Sequence, residues 1–214
     1  MIILKKNYRL ISVIALMLLL VSFCACADNS GQAETPTPAT QSGGVVVTFD
    51  YEKQSGSASN QYAVWVEDMD GNYLNTIFAT KWTASGGYKS RPDAVALWVE
   101  KSDIASMPDY YADAISGATP KSSGSQSYAW NLKDINGDIV PPGDYRVFVE
   151  GTLRWKNSVL YSGVITVGDA TVTIQADAEF IYEASDKQAA MTGESPENAM
   201  IGAVTVSFVP ATEN

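Results

Sequence analysis

The 214-residue sequence predicts an all-β protein, and three observations carry that expectation. Short runs rich in Val, Tyr, Phe and Trp recur along the chain and alternate apolar with polar residues, the period of a strand with one buried face. Turn-forming residues separate them, as in Asp70-Gly71, Asn136-Gly137 and Pro141-Pro142-Gly143. Those residue types supply the backbone angles that tight turns need. A helical stripe is visible in a single stretch, around residues 90–105.

The chain opens with Lys5, Lys6 and Arg9, then the apolar run "LISVIALMLLLVSF", then "CACADNS". That layout reads as a secretory signal over residues 1–26 rather than as a spanning helix. It resembles a bacterial lipoprotein signal, in which a cysteine after a small residue is lipidated and becomes the new amino terminus. Cys26 follows Ala25, whereas Cys24 follows the bulky Phe23, so Cys26 is the expected lipidation site. A plain secreted protein is the alternative. Residues 27–44, "ADNSGQAETPTPATQSGG", lack large apolar side chains and read as a flexible linker. The folded domain is then 45–214.

Within that domain, "VVVTFDYE" (45–52) and "QYAVWVED" (61–68) read as strands. Asp70-Gly71 suits the left-handed angles of a hairpin turn, so 61–67 should pair with 73–80. In "SRPDAVALWVEKSDIA", Ala94, Leu97, Trp98, Lys101 and Ala105 form one stripe behind a capping Ser90, which favours a short helix over a strand. Strands are expected at 126–134, 143–151, 159–168 and 171–183, and "IGAVTVSFVP" closes the sheet after an acidic, poorly patterned insert at 184–200. About eight strands with one short helix suggest an immunoglobulin-like β-sandwich. Pro141 and Pro142 cannot donate to a ladder and belong at its edge, with Tyr145 packing at the corner.

Composition excludes several function classes. The sequence has no histidine, and its two cysteines both lie in the signal region. A Cys/His zinc site, a dithiol motif and a cysteine nucleophile are therefore unavailable to the folded part. A general base at neutral pH would have to be a tuned carboxylate, lysine or tyrosine. Loss of Lys5, Lys6 and Arg9 with the signal leaves 11 basic residues against 24 acidic ones, a net charge of −13. Such a surface repels nucleic acid and anionic headgroups, so membrane attachment would come from the lipid. No clustered carboxylates suggest an enzyme.

Two resemblances extend beyond the signal. "WNLKDINGDIVPPGDYRVFVEG" resembles the immunoglobulin-like domain of flagellar hook-capping proteins through "D-x-x-G…P-x-G-x-Y", which implies a fold and no function. More broadly, "YAVWVEDMDGNYLNTIF", "RPDAVALWVE", "DAISGATPKSSGSQSYAW" and "PPGDYRVFVEGTLRW" occur in that order. Together they resemble an uncharacterised family of predicted periplasmic proteins over most of 45–168. Members of that family often stand beside genes for flavin transferases and membrane reductases, so the resemblance implies such partners.

"DAISGAT" (113–119) further resembles the flavin-attachment motif of bacterial FMN-carrying proteins. There a transferase moves FMN from FAD onto the last threonine hydroxyl. The resemblance implies Thr119 as acceptor, with Ser116 a matching motif position, Gly117 and Ala118 the close-approach residues and Asp113 orienting the segment or a metal ion. The alternative is an ordinary connection, because Ser, Gly, Ala and Thr make good loops. "DMDGN" and "DINGD" space oxygen ligands like a calcium loop, but Ala79 and Tyr145 stand where a bidentate glutamate is required, and tight turns explain them better. Trp82, Tyr88, Tyr110, Tyr111 and Trp155 lie in loop-like segments; exposed, they would suit a glycan- or peptide-binding surface, and buried, a sandwich end. The leading expectation is a lipid-anchored, extracytoplasmic, non-catalytic binding or accessory protein, with a covalent FMN carrier and a glycan- or peptide-binding module as alternatives.

Overall fold

The computed structural model describes residues 43–54, 60–152, 158–181 and 200–211. The signal, Cys24, Cys26, residues 27–42, Trp155 and nearly all of the 184–200 insert lie outside them.

β1 (Gly44–Tyr51), β2 (Tyr62–Glu67) and β3 (Tyr73–Thr80) come first. Three short helices follow, α1 (Lys81–Ala84), α2 (Ala96–Ser102) and α3 (Asp109–Ile115), with a 3-10 turn at Gly87–Lys89. Then come β4 (Ser116–Gly117), β5 (Gly124–Trp130), β6 (Gly143–Thr152), β7 (Ser158–Val167), β8 (Val172–Gln175), β9 (Asp177–Ile181) and β10 (Thr205–Val209). They form one sheet in the order β5-β1-β10-β8 and another in the order β4-β3-β2-β6-β7-β9. Apart from the parallel β3–β4 pair, neighbours run antiparallel.

Alternation places Val45, Val47 and Phe49 of β1 in one core with Tyr62, Val64 and Val66 of β2, Val147 and Val149 of β6, and Val206 and Phe208 of β10. Each fully buried side chain of this kind contributes about 1.5–3 kcal/mol. β2 is buried at all six positions, because its other face is covered too. Ala63 and Trp65, with Phe148 of β6, pack against Ala84, Val95, Trp98, Ile104 and Ala112 of the helical segment. Trp65 and Phe148 stack with ring centroids 4.9 Å apart. The described residues thus form two sheets with a helical layer on the larger one.

Three expectations change. The single helix becomes three, because α1 and α3 are four and seven residues long and carry no side-chain cap bond; their reason to exist is the apolar outer face of β2 and β6. The stripe at 90–105 shrinks to α2, which starts after a left-handed Val95 rather than at Ser90. The strand expected at 171–183 splits at Ala176, and its halves join different sheets, β8 pairing with β10 and β9 with β7. Ala176 donates its N–H to Val204 O at 2.9 Å at that crossing. The exposed Pro141 and Pro142 precede the ladder of β6, an interior strand rather than an edge one.

Candidate functional site

The segment 113–125 runs from the end of α3 along the edge of the larger sheet to β5. Asp113 faces solvent, and its carboxylate lies 3.4 Å from Nζ of Lys81, the first residue of α1. An exposed pair of this kind contributes little to stability, but it ties the head of the motif to the β3–α1 corner. Ser116 and Gly117 form β4 by pairing with Ala79 and Thr80. The Ser116 hydroxyl oxygen is buried with no hydrogen-bond partner among the described residues. Gly117 has an internal reason: a Cβ there would lie 2.5 Å from Cε2 of Phe78. The space expected to admit a second protein is occupied by that ring.

Ala118 is exposed and Thr119 half-buried. Thr119 Oγ1 accepts a hydrogen bond from Gln61 Nε2 at 3.4 Å. Gln61, just before β2, is buried, and its Oε1 accepts the Thr83 hydroxyl at 3.1 Å. Its main chain is tied to Thr152 of β6: Gln61 N–H donates to Thr152 Oγ1 at 3.1 Å, and Thr152 Oγ1 and N–H donate to Gln61 O, each at 2.9 Å. Downstream, Lys121–Ser125 are exposed. Lys53 holds this run, its N–H donating to Ser123 Oγ and its Nζ to Lys121 O, both at 3.0 Å. An open groove of about 730 Å³ meets the segment at Ala114 and Ile115, between Ile77 of β3 and Lys133. A smaller hollow of about 400 Å³ includes Ala112 and Asp113.

The aromatic candidates do not form a row. Trp82 is half-exposed and packs its ring over Gly87, while Tyr110 is largely exposed on α3. Tyr88 is partly buried in the helical layer, and the Tyr111 hydroxyl is bonded to that of Tyr73 at 2.8 Å. "DMDGN" and "DINGD" are two copies of one turn. Asp68 Oδ1 accepts the N–H groups of Asp70 and Asn72 at 2.9 and 2.8 Å, and Asp134 Oδ1 accepts those of Asn136 and Asp138 at 2.8 and 2.9 Å. Gly71 and Gly137 supply the left-handed residue, with φ of 84° and 87°. Hydrogen bonding, led by the Asn72 side chain, holds the Asp68 carboxyl below its ordinary range.

Two buried carboxylates escaped the sequence reading. Glu150 of β6 accepts the N–H groups of Trp98 and Leu97 at 2.8 and 3.3 Å, at the start of α2. Burial pushes its pKa up to about 7, against those backbone bonds. Glu67 accepts Trp65 Nε1–H at 2.9 Å and pairs with Lys101 Nζ at 3.2 Å. The signal that hints at them is a lone acid among apolar residues, in "YAVWVE" and "VFVEG". Both brace the helical layer.

Fold and segment together define a two-sheet β module with a helical cap and a surface strip at one sheet edge. The chain belongs to the family described as "Predicted periplasmic protein (DUF2271)", whose model matches residues 44–182. That description supports a location outside the cytoplasm, and the family is the one expected from the four motifs. The matched residues span β1 to β9; β10, beyond them, fills the place between β1 and β8. No curated protein and no solved structure matches the chain.

Proposed function

We propose that this protein is a non-catalytic accessory module of a membrane redox system, held to the membrane by a lipid on Cys26. The observation that carries the proposal is the strip Asp113–Ser125. It is continuous, largely solvent-facing and fastened at both ends by side chains from other elements. A net charge of −13 beyond the signal turns nucleic acid away and leaves a protein partner as the natural contact. An immunoglobulin-like relationship is part of this reading. Its support is the Tyr145 hydroxyl, which donates back to Pro141 O in the manner of a tyrosine corner.

The redox form of the proposal puts FMN on Thr119. The half-buried Thr119, next to the exposed Ala118, supplies the hydroxyl that this reading requires. In the transfer, Thr119 Oγ1 bonds to the flavin-side phosphorus of FAD, the P–O bond to AMP breaks, AMP leaves and the hydroxyl proton is released. Bound FMN would supply one- and two-electron transfer. The full chain, exported alongside a flavin transferase, should be yellow and heavier by one FMN less water. Thr119→Ala should abolish the adduct and cost about 1 kcal/mol through one lost hydrogen bond, and Thr119→Ser should retain part of it. A colourless wild-type protein beside an active transferase would leave "DAISGAT" as a structural connection.

A further inference from the structure

The motif's acceptor is gripped by a side chain outside it. Gln61 is 6% exposed, and its carboxamide lies between the hydroxyls of Thr83 and Thr119. Oε1 takes the Thr83 hydroxyl proton at 3.1 Å, which turns Nε2 toward Thr119 Oγ1 at 3.4 Å. Three hydrogen bonds to Thr152 fasten the main chain beneath it. We infer that Gln61 is a positioning residue that orients the Thr119 hydroxyl for transfer of a flavin-bearing phosphoryl group. This rests on the reading of Thr119 as the attachment site and deepens it.

The polarity of the contact matters. Nε2–H donates and Oγ1 accepts, so the hydroxyl's own proton takes no part in this bond. A threonine free on a surface loop samples several χ1 wells. Held by Gln61, it presents one oxygen position to an incoming phosphorus and leaves its proton to a base on the transferase. The Oγ1–P bond then forms as the P–O bond to AMP breaks. An ester oxygen at that position would keep a lone pair that Gln61 Nε2 could reach. Thr83 sits on α1 and Thr152 on β6. The orientation of Thr119 is therefore set by elements 36 and 33 residues away in sequence, none of them part of the motif.

The test is steady-state flavin transfer from FAD onto the full exported chain by a purified transferase, read by intact mass. Gln61→Glu keeps an acceptor for Thr83 and removes the amide donor; Gln61→Met removes both. Each should lower kcat about tenfold, the scale of lost orientation, with KM within about twofold, because the docking strip is untouched. Thr83→Val keeps the amide but frees it to turn, and should lower kcat in the same direction. Melting temperatures measured in parallel separate orientation from unfolding. Unchanged kcat in Gln61→Glu and Thr83→Val would overturn the inference, as would a rise in KM alone. A wild-type chain that takes no FMN, or a Thr119→Ala chain that still takes it, overturns the attachment reading itself and this inference with it.

Discussion

Glu150 lies near the end of β6, between Val149 and Gly151, and its carboxylate is spent on the backbone of α2. Val95 makes this geometry. At φ 54° it occupies a conformation rare for a β-branched residue and turns the chain so that Leu97 and Trp98 aim their N–H groups at β6. The pKa of Glu150 rises from 4.5 to about 7, with burial the cause. The fold therefore holds that proton more tightly than the unfolded chain does. Its stabilising contribution is complete below pH 4.5 and is lost as pH rises through 7, a swing on the order of 3 kcal/mol. Urea unfolding should accordingly show stability falling between about pH 4.5 and pH 7 and levelling off above it. Glu150→Gln, which cannot ionise, should flatten that slope; a slope that survives the substitution would mean another group titrates.

At the scale of elements, the two Asp-Gly-centred turns explain more than a hairpin would. In each, one aspartate oxygen gathers two backbone N–H groups, and a glycine takes the left-handed position. The carboxylates are thereby engaged in forming the turn itself. Asp68→Ala should destabilise by about 1 kcal/mol, the worth of its hydrogen bonds net of water. Millimolar calcium should raise the melting temperature little, since tight binding would stabilise by several kcal/mol at saturation. A shift of ten degrees or more would assign a metal to these turns. The short helices obey a different rule. Below about 12 residues a helix is marginal alone, and α1, α2 and α3 persist because they cover Trp65 and Phe148.

At the scale of the whole chain, the proposed anchor is a lipid on Cys26, which lies outside the described residues. One acyl chain binds membranes weakly and two or more hold firmly, so anchoring should depend wholly on that cysteine. Cys26→Ala should release the protein to the soluble fraction and abolish labelling with a fatty-acid analogue. Release by Cys24→Ala with Cys26→Ala still anchored would move the cleavage site.

Strands whose signal is local could be read from the residues alone. The pairing of 61–67 with 73–80 was legible because alternation and Asp70-Gly71 agree, and β1, β6, β7 and β10 were legible from Val-rich alternation. The family was legible from four motifs in order. Tertiary structure decided what depends on partners far along the chain. The split at Ala176 comes from competition between two sheet edges, which period-2 alternation cannot record because both halves present the same pattern. The start of α2 is set by Glu150, 54 residues after Ala96, and the surroundings of Thr119 by Gln61, 58 residues before it. Such placements follow from burial between layers, and burial exists only once the layers have come together.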